Sequence, residues 1–144
     1  MNKSEELLRS ILAEVLRGQA AGGSRPFAKQ KDPSGVIAVR TATVECEPFQ
    51  QDGVRVRDLL TLEEAPRIGA GVMELDAGTK FPWELTYDEY DLVLEGTLEI
   101  EIDGRTISGG PGDILYIPKG SKIAFCSQTA TRYAYFVFPA SWNS

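Results

Sequence analysis

From residue 34 onward the chain repeats one pattern: short runs in which apolar and polar residues alternate, cut by Gly, Pro and Asp. Val36–Val39, Val54–Arg57, Gly69–Leu75, Asp91–Leu94, Leu98–Ile102, Ile114–Ile117, Lys122–Phe125 and Arg132–Phe138 all carry it. A period of two turns one face of each run toward a core and the other toward water, the mark of a half-buried strand. Asp103-Gly104, between two such runs, is the dipeptide of a tight hairpin. Many short strands with no helical pattern between them leave a sandwich or a closed barrel as the architecture of this region.

The N-terminus follows a different period. Within residues 3–17, Leu8, Ile11, Leu12 and Val15 recur at helical spacing, and Leu7 and Leu16 widen the stripe. Ser4 is a candidate N-cap, and Glu5 and Glu6 suit the positive end of a helix dipole. Residues 18–33 open with Gly-Gln-Ala-Ala-Gly-Gly-Ser-Arg-Pro, the composition of a flexible linker. The expected division is therefore an amphipathic helix over 1–17, a linker over 18–33 and a β-barrel over 34–144. A helix this short is marginal alone in water, so its apolar stripe needs a partner. That partner is either the chain's own barrel or a sister subunit, or else a groove on another protein, to which the glycine-rich tether would present a docking peptide.

Composition excludes several functions. The 144-residue length suits one domain with a short appendage. A net charge of −6 argues against nucleic acid and against an anionic membrane surface, both of which need a basic footprint. No apolar run approaches the ~20 residues of a membrane span. Glu5 and Glu6 stand where a secretory signal would carry its basic and apolar regions, so a cytosolic protein is expected. Cys46 and Cys126 lie far apart in strand-like contexts and fit no zinc spacing, so buried free thiols are expected.

Two glycine-bounded blocks remain, Gly78–Gly96 and Gly112–Ile123. They resemble the paired motifs of cupins, in which three histidines and a glutamate hold a metal inside a barrel. The glycines, Pro118 and one glutamate fit, but the chain contains no histidine. Counting back from Gly96, the ligand glutamate falls on Glu89 and the first two imidazoles on Trp83 and Leu85. Counting forward from Gly78 moves those two to Glu84 and Thr86, while either count leaves the last imidazole on Ile123. A one-residue difference reverses which face a strand residue occupies, so the register stays open at this point. A transition metal held by imidazole is excluded, and with it the metal-centred chemistry of such barrels.

Glu89, Asp91, Val93 and Glu95 share one strand face, so Glu89 and Asp91 are expected to look inward together. Carboxylates turned into a barrel must be paired, protonated or bound to a cation. With Glu84, if that residue is inward, they make an oxygen-rich set suited to Mg²⁺. Lys80 and Lys119 at strand ends are candidates to neutralise an anionic ligand, and Trp83, Tyr87, Tyr90 and Tyr116 are candidate pocket walls. Gly109–Asp113 is glycine-rich but lacks the Lys-Ser/Thr and following helix of a phosphate-binding loop. Without histidine, Ser-His and Cys-His nucleophiles are absent as well.

The run Trp83–Ile100 followed by Gly112–Ser121 resembles the EutQ family of ethanolamine-utilisation proteins, over about residues 34–142. The resemblance implies a histidine-poor single cupin, a double-stranded β-helix or jelly-roll barrel, with an N-terminal amphipathic helix. This chain is short beside longer members of that family. The resemblance further implies a cytoplasmic protein associated with the ethanolamine microcompartment, its helix docking onto shell or cargo proteins. An acetate kinase activity is also implied, interconverting acetate plus ATP with acetyl phosphate plus ADP. On that reading Glu89 and Asp91 hold Mg²⁺ beside ATP, and Lys80 or Lys119 faces phosphate. The alternative is a non-catalytic module that binds a small molecule in the barrel. Edge strands of a single barrel need cover, so a homodimer is expected on either account.

Overall fold

The computed structural model describes residues 25–143, so the expected helix of residues 1–17 lies outside the described residues. A small hairpin, β1 (Lys29–Lys31) and β2 (Ile37–Val39), is followed by a short 3₁₀ turn at Thr41–Thr43. Then come β3 (Glu47–Phe49), β4 (Gln51–Asp58), β5 (Gly69–Leu75), β6 (Thr79–Glu84) and β7 (Asp88–Glu95). The chain closes with β8 (Leu98–Ile102), β9 (Arg105–Gly109), β10 (Ile114–Ile117), β11 (Lys122–Ser127) and β12 (Thr131–Phe138). One sheet runs β10-β7-β12-β5-β4-β3 and the other β6-β11-β8-β9, antiparallel throughout. The two sheets face each other as a jelly-roll cupin barrel.

Alternation accounts for most of this. Every run singled out by its period coincides with a strand or part of one, save that Val36 precedes β2, and Asp103 (φ 51) and Gly104 (φ 76) form the turn between β8 and β9. Several strands escaped that pattern. Lys29–Lys31 lies inside the expected linker 18–33, yet it pairs with β2 across an Asp32-Pro33-Ser34-Gly35 turn. Its Lys-Gln-Lys sequence has no apolar member to show a period, so ordered strand begins earlier than 34. Strand β6 is at a sheet edge, where Pro82 is tolerated because its missing N–H faces no neighbour. Strand β9 is also an edge and is exposed along nearly its whole length.

The core lies between the sheets, with Val54, Leu75, Leu98 and Tyr133 almost completely buried. A second apolar layer sits outside the large sheet, where Phe27 and Val39 pack on Val44, Leu59 and Val72. The N-terminal segment thus covers the outer face of β4 and β5. Cys46 and Cys126 are free thiols, half-buried rather than fully buried. Among the described residues no helix is long and apolar enough to cross a membrane.

Gly96 turns the chain from β7 into β8 at φ +77, and a Cβ there would lie 2.3 Å from the Ala130 carbonyl oxygen. Gly104 has a similar φ of +76 but open space around it. Gly96→Ala therefore carries both backbone strain and overpacking and is expected to cost about 1–3 kcal/mol. Gly104→Ala carries the strain alone, about 1 kcal/mol. Urea unfolding of both variants beside the wild type separates the two terms.

Candidate functional site

Strand β7 decides what faces the barrel interior. Between Phe81 and Val93 the odd-numbered residues are inward: Phe81, Leu85, Tyr87, Glu89, Asp91 and Val93 are buried and Trp83 half-buried. This resolves the register in favour of the count from Gly96. Trp83, Leu85 and Ile123 stand where a metal cupin has imidazoles, with Trp83 directly across from Ile123 in the β6–β11 pairing. Glu84 and Thr86 face outward and are exposed.

The interior under these residues is a cavity with about 40 Å³ of room for water-sized groups. Phe81, Trp83, Tyr87, Phe125 and Trp142 form much of its wall, with Asp58 and Glu89 as its acidic members. The Trp83 indole N–H donates to the Tyr87 hydroxyl at 2.8 Å, and the Trp142 ring packs on Tyr87 at 4.5 Å between centroids. Tyr135 donates its hydroxyl to Asp58, and its ring occupies the space a side chain at Gly71 would need.

Burial governs the titration of these acids. It pushes Glu89 up to about 7, although hydrogen bonds from Asp91 and Tyr87 pull the other way. Asp91 is raised further, by burial, then by the Glu89 charge, then by the hydrogen bond it donates to Glu89 when protonated. Both Asp91 oxygens are buried, and no fixed hydrogen bond reaches either one; a proton shared with Glu89 can satisfy one of them. Asp58 is also raised by burial, partly offset by the bond from Tyr135.

Beyond the Trp142 ring a larger groove opens at the barrel mouth, about 370 Å³, sharing Asp58, Val137 and Trp142 with the inner cavity. Leu59, Leu60 and Ala140 give it an apolar wall, and Lys29 and Arg57 give it positive charge. Arg57 is buried, donates to the Glu45 and Arg25 carbonyls at 3.0 Å each, and stacks on Phe27, with no carboxylate paired to it among the described residues. Lys29 binds the Leu59 carbonyl and Glu64.

The residues singled out by sequence divide cleanly. Glu89, Asp91, Trp83 and Tyr87 come together inside the barrel. Lys80 and Lys119 do not join them: Lys80 is on the outer face, ion-paired to Glu101 at 2.8 Å, and Lys119 is an exposed loop residue whose backbone N–H donates to Asp88. Tyr90 and Tyr116 pack on each other at 5.0 Å on the outside of β7 and β10. Glu95 leaves the inward face because the β7–β12 register shifts between Arg132 and Tyr133. Asp58 went unnoticed, although Val54, Val56 and Asp58 continue one alternation. Trp142 follows Pro139 in a tail with no period to mark it.

Among the described residues no cluster of three or more Asp, Glu or Cys is arranged to hold a metal. Mg²⁺ is commonly held by one or two carboxylates together with water and substrate phosphates, and Glu89 and Asp91 are two buried carboxyls on one strand face.

The family described as ethanolamine utilisation protein EutQ matches residues 2–144. The chain belongs to that family. It is 41% identical over 99% of its length to "Acetate kinase EutQ" of Clostridioides difficile, spanning 94% of that relative. It is 35% identical over 98% of its length to the protein of the same name from Salmonella typhimurium, but spans only 64% of that longer relative. The solved structure of the Clostridium difficile EutQ protein superposes with a TM-score of 0.76 at 43% identity, covering 81% of this chain and 97% of that one.

The buried acids make stability depend on pH. Glu89 has an ordinary carboxyl pKa unfolded and a raised one folded, so its contribution is complete below about 4.5 and is lost as pH rises through about 7. The wild type is expected to lose thermal stability between pH 5 and pH 8, by an amount on the order of a few kcal/mol. Glu89→Gln should flatten that slope and match or exceed the wild type at pH 8. Melting curves across the range check it.

Proposed function

We propose that this chain is an acetate kinase of ethanolamine utilisation, interconverting acetate plus ATP with acetyl phosphate plus ADP. The observation that carries this is the 41% identity, over nearly the whole of both chains, to a protein named "Acetate kinase EutQ". In this reaction an acetate oxygen attacks the γ-phosphorus, the bond from phosphorus to the β,γ-bridging oxygen breaks, and ADP leaves with the electron pair. Positioning and positive charge supply most of the catalysis.

Size supports assigning the nucleotide to the outer groove. Its 370 Å³ lies within the ~300–1,000 Å³ of ligand pockets, while the inner 40 Å³ admits no nucleotide. An apolar wall suits a base, and Lys29 and Arg57 suit phosphates. Mg²⁺, brought with ATP, would offset the charge of the phosphates.

A second reading, a module that binds a small molecule without turnover, is favoured by the aromatic cavity and by the distance of Lys80 and Lys119 from it. On either reading the chain works as a homodimer, in the cytoplasm with the microcompartment, its residues 1–17 docking to shell or cargo. The dimer is supported by the exposed outer face of β10-β7-β12, where Tyr116, Tyr90 and Phe136 lie in register across three strands beside Ile114 and Phe138.

The assay is acetyl phosphate formation from acetate and Mg-ATP by protein from a host lacking its own acetate kinase. Lys29→Met and Arg57→Met should each lower kcat/KM by about tenfold or more, the scale of one charge-assisted contact. Glu89→Gln should retain turnover. If it abolishes turnover while the groove variants do not, the reaction belongs to the barrel floor; no wild-type turnover leaves the binding module. For the dimer, Tyr90→Lys combined with Tyr116→Lys should shift sedimentation from dimer to monomer.

A further inference from the structure

The inner cavity carries a charge pattern that the kinase reaction does not use. Every ionisable side chain bordering it is an acid or a phenol. Asp58 comes from β4, Tyr87 from the turn before β7, Glu89 from β7 and Tyr135 from β12. Behind them stand Asp91 on β7 and Tyr133 on β12. The facing strands β6 and β11 contribute Phe81, Trp83 and Phe125, none of which titrates. Among the described residues no lysine or arginine lines the space.

We propose that the inner cavity is a binding site for a small organic ammonium ion, a primary or N-methylated amine or amino alcohol. Aromatic faces of Trp83, Tyr87 and Trp142 attract a cation through their ring quadrupoles, most strongly when water is excluded. Glu89 and Asp58 accept its N–H bonds. Asp91 adds a fully buried carboxyl two residues along β7 from Glu89, on the same inward face, with both oxygens lacking a fixed hydrogen bond. Burial of such a group is costly unless a proton or a cation balances it. A proton held between Glu89 and Asp91 balances part of this negative charge in the empty cavity, and an arriving ammonium releases that proton to solvent and takes its role.

Size sets the ligand's limits. A water-sized group needs ~10–15 Å³ on this measure, so 40 Å³ holds about three, enough for a two-carbon amine with little side-chain movement. Acetate is of similar size but opposite charge, and would face the same carboxyls without a cation to meet it. A bare metal ion is not favoured, because the walls are rings rather than oxygens. Entry is past Trp142, which borders both the cavity and the outer groove.

The chain's two tryptophans, Trp83 and Trp142, both line this cavity, so intrinsic fluorescence reports on its contents. The full chain, without ATP, is titrated with ethylammonium and ethanolamine chlorides and with sodium acetate at matched ionic strength and pH 8. The amines should give a saturable change, and acetate should bind at least tenfold more weakly. Amine affinity should rise from pH 6 to pH 8, with proton release visible calorimetrically in buffers of different ionisation enthalpy. Glu89→Gln should weaken the amine at least tenfold, and Asp58→Asn serves if that variant does not fold. Acetate binding as tightly as the amines, no saturable change with any amine, or unchanged affinity in the folded variant each overturns the proposal. Because no nucleotide is present, failure here is distinct from failure of the kinase assay.

Discussion

Strand β7 is hydrogen-bonded on both sides, to β10 and to β12, and this double pairing removes its freedom of register. Slipping it by one residue would turn Tyr90 and Leu92 into the interior and send Glu89, Asp91 and Val93 to water. The aromatic walls, the acid pair and the spacing to Trp83 all follow from that lock. Tyr133 and Tyr135 on β12 hold the same face from the neighbouring strand, and Gly71 on β5 leaves the space the Tyr135 ring needs. The position of Asp58 depends on that ring in turn.

A cupin barrel without histidine has to fill the room that imidazoles would occupy. Here Trp83, Leu85 and Ile123 fill it with apolar bulk, while the glutamate of the motif persists as Glu89. Carboxyls in such surroundings are costly to hold charged, and burial accordingly raises both Glu89 and Asp91. The interior is thereby shaped by apolar bulk at the imidazole positions and by buried carboxyls beside it.

Opposite charges also leave the end of β4 on opposite faces. Arg57 and Leu59 point to the outer side of β4 and Asp58 to the inner side, because adjacent residues of a strand face opposite ways. One strand end thus gives the groove its guanidinium and sets a carboxyl, Asp58, on the boundary of groove and cavity. Trp142 from the C-terminal tail stands between the two spaces and belongs to the wall of each.

The architecture was legible because a period of two is written residue by residue: Val54 and Val56, Leu98 and Ile100, Glu89 and Asp91 each announce their face locally. Strands without apolar contrast, such as Lys29–Lys31 and Arg105–Gly109, left no such mark, and ladder pairing alone makes them strands. The acid pair was legible for the same local reason, and so was the loss of imidazole. Lys80, Lys119, Tyr90 and Tyr116 were near the motif in sequence yet lie outside the cavity, since proximity along a strand says nothing about side until the register is known. Sequence by itself therefore determined a histidine-free cupin with inward carboxyls. Only the tertiary structure decided which aromatics enclose them, that Asp58 and Trp142 join from distant segments, and where the cations stand, because those contacts arise from strand pairing across the barrel rather than from any local pattern.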